Sequence, residues 1–300
     1  MLSKILDVGT MAAAFTACCL LLPVAGCTKR VDPADEAQAA WHSERIAKLC
    51  APDGWLTLVG LHFLSDGEWS VGSGQAARLR HATCSAPLLG SFMVQGSTVR
   101  WMPASGSNAT LENAQTGEPL VADDSGQPSV VRDGAISFAL LRRNGQLALR
   151  VRDNASPVRI GFKGIALAPH DPALVVMARI EDVPTGQMVA ITNVLGFVEA
   201  QPVAALLAFE LGGATRRLVA TKGSNGRLFV VFGDATNGKQ TYGGGRFLDL
   251  PAPVDGVVEI DFNRAINPPC AFTAWATCPL PPEMNRLPLP VLAGELRSTH

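Results

Sequence analysis

The residues able to do chemistry in this 300-residue chain gather toward its C-terminal end. The stretch FGDATNGKQTYGGGRFLDL supplies Asp234, Tyr242 and Arg246; VVEIDFNRAINPPC supplies Asp261, Asn263, Arg264, Asn267 and Cys270. CPLPPEMNRLPLPVLAGE then adds Cys278, Asn285, Arg286 and Glu295, and an earlier block, RVRD, carries Arg150 and Asp153. Arginine offers a planar fork of donors that matches a carboxylate or phosphate, and asparagine offers a donor and an acceptor side by side. With Tyr242 and Trp275 as flat walls, this mixture suits a pocket for a small polar or anionic molecule. A hydrolase is the competing reading, with Asp234, Asp261 and Glu295 as acid and base, or with a Cys270 thiol whose pKa is lowered by Arg264 or Arg286. A third reading is structural: Asp261 with Arg246, and Asp153 with Arg150, would be ion pairs that hold strand ends together in an envelope protein.

Several chemistries lack their residues. A serine triad needs histidine beside its nucleophile, yet His42, His62, His81, His170 and His300 all fall outside these blocks, and no GxSxG is present. Two cysteines with seven residues between them and no nearby histidine make a poor zinc site, so neither metal nor cofactor is expected. Gly243-Gly244-Gly245 is not followed by Lys-Ser/Thr on a helix; it reads as a tight corner rather than a phosphate loop. Twenty-five basic against 26 acidic residues leave a net charge of -1, which offers no field for nucleic acid.

Taken as an ordered set, TNGKQTYGGGRFL, DFNRAINPPCAF and CPLPPEMNRL, with AGE after them and RVRDNASPVRIGFKG before, resemble the signature blocks of the DUF1684 family. GWLTLVGLHFL near the start fits the same pattern, so the resemblance spans about residue 40 to Glu295. The family is a domain of unknown function. The resemblance therefore locates a site without naming its chemistry.

The elements that must position these residues begin behind a targeting segment. Residues 1–27 contain an apolar run from Met11 to Leu22, too short to span a bilayer but suited to a signal-peptide core, and end in Val24-Ala25-Gly26-Cys27. Small residues before a cysteine resemble a bacterial lipobox, which predicts lipidation at Cys27, a membrane anchor and a body facing the periplasm. Removing Cys18 and Cys19 with the signal, and Cys27 with the lipid, leaves Cys50, Cys84, Cys270 and Cys278. Cys270 and Cys278 are close enough to staple one loop, and that disulfide is favoured over four buried thiols.

Residues 28–51 read as a tether and a helix, with Asp32 as N-cap, Pro33 in the first turn and Pro52-Asp53-Gly54 as the stop. From 52 to 297 the pattern is a mainly β, antiparallel sandwich or barrel-like body, subdivided weakly near residue 155. Gly 29 and Pro 21 against 6% aromatics favour short strands and many turns. Asn144-Gly145 and Asn225-Gly226 predict hairpins, as does Asp66-Gly67 within WLTLVGLHFLSDGEWSVGS. Trp55, Trp69 and Trp101 read as core or rim aromatics. Residues 262–287, bounded by Pro268-Pro269 and rich in proline thereafter, predict a long ordered loop that covers one end of the body.

Overall fold

The structure is a computed structural model that describes residues 33–298; the signal segment, Cys27 and the Asp32 cap lie outside the described residues, as does His300. Helix α1 (Pro33–Cys50) starts at its proline and stops before Pro52-Asp53-Gly54, as its sequence predicts. Leu49 packs with Leu56, Ile165 and Phe272, which seats the end of the helix against the body.

Nine strands follow: β1 (Leu58–Phe63), β2 (Gly67–Gly72), β3 (Leu79–Arg80), β4 (Gly90–Gln95), β5 (Thr98–Pro103), β6 (Thr110–Glu112), β7 (Val130–Asp133), β8 (Ile136–Arg143) and β9 (Gln146–Asp153). They form two sheets, in the orders β1-β9-β8-β7-β6 and β3-β2-β4-β5. Between them lies one core that includes Phe92, Trp101, Phe138, Leu149 and Val151. Asn144 and Gly145 both take positive φ, at 48° and 74°, as the two-residue turn between β8 and β9 requires. The expected hairpin at Asp66-Gly67 does not form. β1 pairs with β9 and β2 with β4, so these two residues carry the chain from one sheet to the other. Local turn chemistry reports a change of direction but not which strand will be the partner.

After a short helix α2 (Pro157–Ile160) come β10 (Val175–Glu181), β11 (Met188–Thr192), β12 (Val198–Leu211), β13 (Ala214–Lys222), β14 (Leu228–Phe232), β15 (Arg246–Leu250) and β16 (Val257–Asp261). Their sheet runs β15-β14-β13-β12-β10-β16, with β11 on β12, and curls into a half-barrel. Its strands alternate as a two-faced sheet must. On β14, Leu228, Val230 and Phe232 point into the half-barrel core, whereas Phe229 and Val231 face a second cluster with Leu58, Phe247, Ala276 and Cys278. That second cluster joins the loop of residues 262–287 to both halves, and the described residues form one compact unit. The body is thus mainly β and antiparallel, with one N-terminal helix and a half-barrel.

Candidate functional site

Arg246 opens β15 opposite Phe232 and lies inside the half-barrel, completely buried. Its guanidinium donates to Asp234 Oδ2 at 2.7 Å, to the Val291 carbonyl at 2.7 Å and to the Ala293 carbonyl, and lies over the Phe232 ring at 5.0 Å. Asp234, also fully buried at its side chain, accepts from Thr236 N–H (2.8 Å), Thr236 Oγ1 (2.6 Å) and Val291 N–H (3.1 Å). Burial pulls the Arg246 pKa down, while Asp234 and Glu295 oppose the shift. The ion pair expected between Arg246 and Asp261 is replaced by this one. Asp261 instead accepts Asn263 N–H at 2.9 Å and opens a 3-10 turn, and the turn swings Arg264 back onto Asp261 at 3.2 Å. Strand alternation would have put Arg264 on the opposite face, but the strand has already ended.

The three asparagines act as backbone mimics. Asn285 accepts from Val219 N–H (2.7 Å) and donates to the carbonyls of Val219 and Val231 (2.8 Å each), bridging β13 and β14. Asn263 accepts Asp171 N–H and donates to the Asp171 carbonyl, both at 2.9 Å. Asn267 donates to the Leu296 carbonyl at 2.8 Å, and its N–H donates to Glu295 Oε2 at 2.6 Å. Glu295, completely buried, also accepts from Arg45 of α1 at 3.0 Å, and Arg45 reaches the Asn267 carbonyl at 3.0 Å. Nothing in the spacing of Arg45 announces this latch; only the tertiary contact does.

These bonds leave Asp234 and Glu295 without the exposed oxygen that acid–base chemistry needs, and Asp261 is engaged by its own turn. Tyr242 donates to the Cys270 carbonyl at 3.2 Å and Arg286 is exposed. Gly245 holds φ +87°, where a Cβ would lie 2.3 Å from Pro281 Cγ. The triple glycine is therefore the corner beneath the loop. Phe272 anchors that loop, whereas Trp275 is exposed.

The expected disulfide is not formed: Cys50, Cys84, Cys270 and Cys278 are free thiols. Cys270 and Cys278 nonetheless meet, each sulfur accepting the other's backbone N–H, at 3.1 and 3.3 Å. The Cys278 thiol, through its hydrogen bond, holds Cys270 below the ordinary thiol value, and the same bond together with burial pushes Cys278 up. Burial and Asp133 raise Cys84 to about 11. Among the described residues, no three His, Cys, Asp or Glu side chains converge as metal ligands would.

The pairing leaves Arg246 Nε and Asn267 Oδ1 buried without a partner, and at Arg150 it is missing altogether. Strand alternation puts Leu147, Leu149 and Val151 of β9 into the N-terminal core, so Arg150 and Arg152 share the opposite face with Ala139 and Arg143 of β8. Arg150 is only 8% exposed, and among the described residues its guanidinium has no hydrogen-bond or ion-pair partner, its Nε being buried outright. Trp55 lies beneath it at 5.7 Å. Asp153, expected as its partner, points to the other face, where it accepts from Thr83 at 2.5 Å and Ala155 N–H at 2.7 Å. Burial first, and then the repulsion of Arg152 and Arg143, lower the Arg150 pKa to about 10, so it stays cationic at neutral pH. The buried Nε of Arg152 is likewise unpartnered.

Beside this cluster is a cavity of about 270 Å³, walled by Arg143, Asn193, Glu199, Gln201, Lys222, Phe229, Thr277 and Pro279 among others. Arg143 is held by a two-bond contact to Asp123, at 2.7 and 3.0 Å, leaving Lys222 as a cation without a partner among the described residues. Thr277 and Pro279 flank Cys278, which packs against Leu58, the ladder partner of Arg152. Sequence reading pointed to the Arg150 strand but missed Arg143 and Lys222. Arginines at period two on β9, Arg150 and Arg152, beside Arg143 at the end of β8, were the available signal.

Fold and site thus define a two-part antiparallel β protein whose C-terminal half-barrel is locked by buried polar residues. Residues 160–296 match the family model described as "Protein of unknown function (DUF1684)". A solved structure, the solution NMR structure of an uncharacterized protein of Haloarcula marismortui, is 35% identical over 46% of this chain and 78% of that one, with a TM-score of 0.39. Residues 160–296 belong to the DUF1684 family. The matched region starts later than residue 40, and it holds the half-barrel and its loop but not Arg150. No curated protein matches.

Proposed function

We propose that this protein binds a small anionic molecule, one bearing a carboxylate or phosphate, at the Arg150 cluster and the adjoining cavity, while tethered to the bacterial envelope by lipid on Cys27. The observation that carries the reading is the guanidinium of Arg150, which has no partner among the described residues, has its Nε buried outright and belongs to a residue only 8% exposed. A buried charge is costly unless something neutralises it, and proteins otherwise pair such groups, as this one does at Arg246. An anion accepted by Arg150, with Lys222 and Arg143 at the cavity wall, would supply the missing partner. The tether rests on the Val24-Ala25-Gly26-Cys27 sequence and places the body on the periplasmic side.

The test is thermal denaturation of the chain from residue 29 across small carboxylates and phosphates, with wild type and Arg150→Met in parallel. A ligand that binds only the folded state raises Tm. The expected result is stabilisation of wild type and none of the variant. Equal stabilisation of both, or no stabilising anion at all, overturns the reading. Mass spectrometry of the membrane-extracted protein checks the anchor: a diacylated Cys27 at the new N-terminus is expected, and an unmodified chain removes the tether.

A further inference from the structure

The Cys270–Cys278 pair has a geometry that neither a structural thiol nor a permanent staple requires. Each sulfur sits in the other residue's backbone N–H, which brings the two side chains together before any bond exists and offers a donor to either sulfur as a thiolate. The two are unequal. Cys278 is 5% exposed within an apolar cluster with Leu58, Val231 and Phe247, whereas Cys270 is partly exposed at the start of a 3-10 turn. The shifts agree with that inequality, Cys270 being the easier thiol to ionise. Leu58, which packs against Cys278, is the ladder partner of Arg152, two residues from Arg150 on the same strand face, and Thr277 and Pro279 on either side of Cys278 line the cavity.

We propose that Cys270 and Cys278 are a reactive dithiol that exchanges with low-molecular-weight disulfides bearing carboxylates, drawn to the pair by Arg150. This deepens the anion-binding reading and rests on it for the role of Arg150. The Cys270 thiolate attacks one sulfur of the small disulfide, its S–S bond breaks, and the first half leaves as a thiolate. Cys278 then loses its proton and attacks the Cys270 sulfur of the mixed disulfide, releasing the second half. The protein gives up two electrons and two protons and gains one S–S bond; the small disulfide becomes two thiols.

Trypsin should cut after Arg264 and Arg286, giving a peptide of residues 265–286 that holds both cysteines and no others. The full chain, reduced and then exposed to glutathione disulfide, is quenched at intervals and this peptide is weighed. Loss of two hydrogens is expected, with Cys278→Ser instead trapping glutathione on Cys270 and Cys270→Ser reacting slowly. A peptide that stays a dithiol, or a trap that forms on Cys278 in preference, overturns the dithiol assignment. The same reaction with the cationic disulfide cystamine isolates Arg150. Arg150→Gln should lower the ratio of glutathione-disulfide to cystamine rates by roughly tenfold, the scale of local electrostatic attraction; an unchanged ratio overturns recognition by Arg150. Because the thermal test of anion binding uses sulfur-free anions, the two readings fail separately.

Discussion

Two buried arginines, one in each half of the molecule, separate what holds this protein together from what it can offer a ligand. Arg246 is paired: a buried carboxylate and two carbonyls take its Nη groups and Phe232 covers its face, while its Nε is buried without a partner. Arg150 is nearly as inaccessible but has only an aromatic ring beneath it and two other arginines nearby. Their contrast shows that density of polar residues is a poor guide to a binding site. The rich C-terminal blocks close on themselves through Asp234, Asn263, Asn267, Asn285 and Glu295. A sparse strand face leaves the charge uncompensated.

The comparison is broken most directly at Arg246. Arg246→Met strands Asp234 as a buried charge, and removal of one member of a buried pair costs about 3–5 kcal/mol. Urea denaturation should show a loss of that size; a variant as stable as wild type would deny the structural role. Asn285→Ala comes next. It leaves the N–H and C=O of Val219 and the C=O of Val231 without their partner, at a cost of about 2–3 kcal/mol. Hydrogen exchange should quicken at Val219, and unchanged protection there counts against the bridge.

Arg150→Met should run the other way, because it removes an unpaired buried charge and keeps a stem of similar length. Stability unchanged or raised by about 1 kcal/mol is expected from the same urea measurement without added anion. A loss as large as that at Arg246 would erase the distinction between the two arginines. The smallest effect concerns pH in the N-terminal half. Burial lowers the pKa of His62 and His81, whose rings lie 6.2 Å apart, below the ordinary imidazole value of 6.5. The folded state therefore binds protons less readily than the unfolded chain. Stability is full above pH 6.5 and falls as pH drops through the depressed folded values. His62→Gln with His81→Gln should flatten that part of the stability profile, and an unaltered slope would assign it to other groups.

Some of this organisation is legible in the chain. Pro33 and Pro52-Asp53-Gly54 bound α1 because proline and glycine act on the backbone next to them. Asn144-Gly145 makes a hairpin because both residues tolerate positive φ. Alternation of apolar residues marks a mainly β, antiparallel body, and proline-bounded residues 262–287 form an ordered cover. These are local effects, fixed by one residue and its neighbours.

What the tertiary structure alone decided is pairing at a distance. Asp66-Gly67 could not say that β1 and β2 enter different sheets, and Arg246 could not say whether Asp234 or Asp261 would meet it. Arg45 gave no hint of Glu295, 250 positions away. Arg150 and Asp153 stood three apart and looked like an ion pair, but the pleat of β9 turned them to opposite faces. Residue type fixes what a side chain can bond to. Which groups come within 3 Å depends on register, bulges and the closure of sheets, and those follow from burying all the apolar faces of the chain at once.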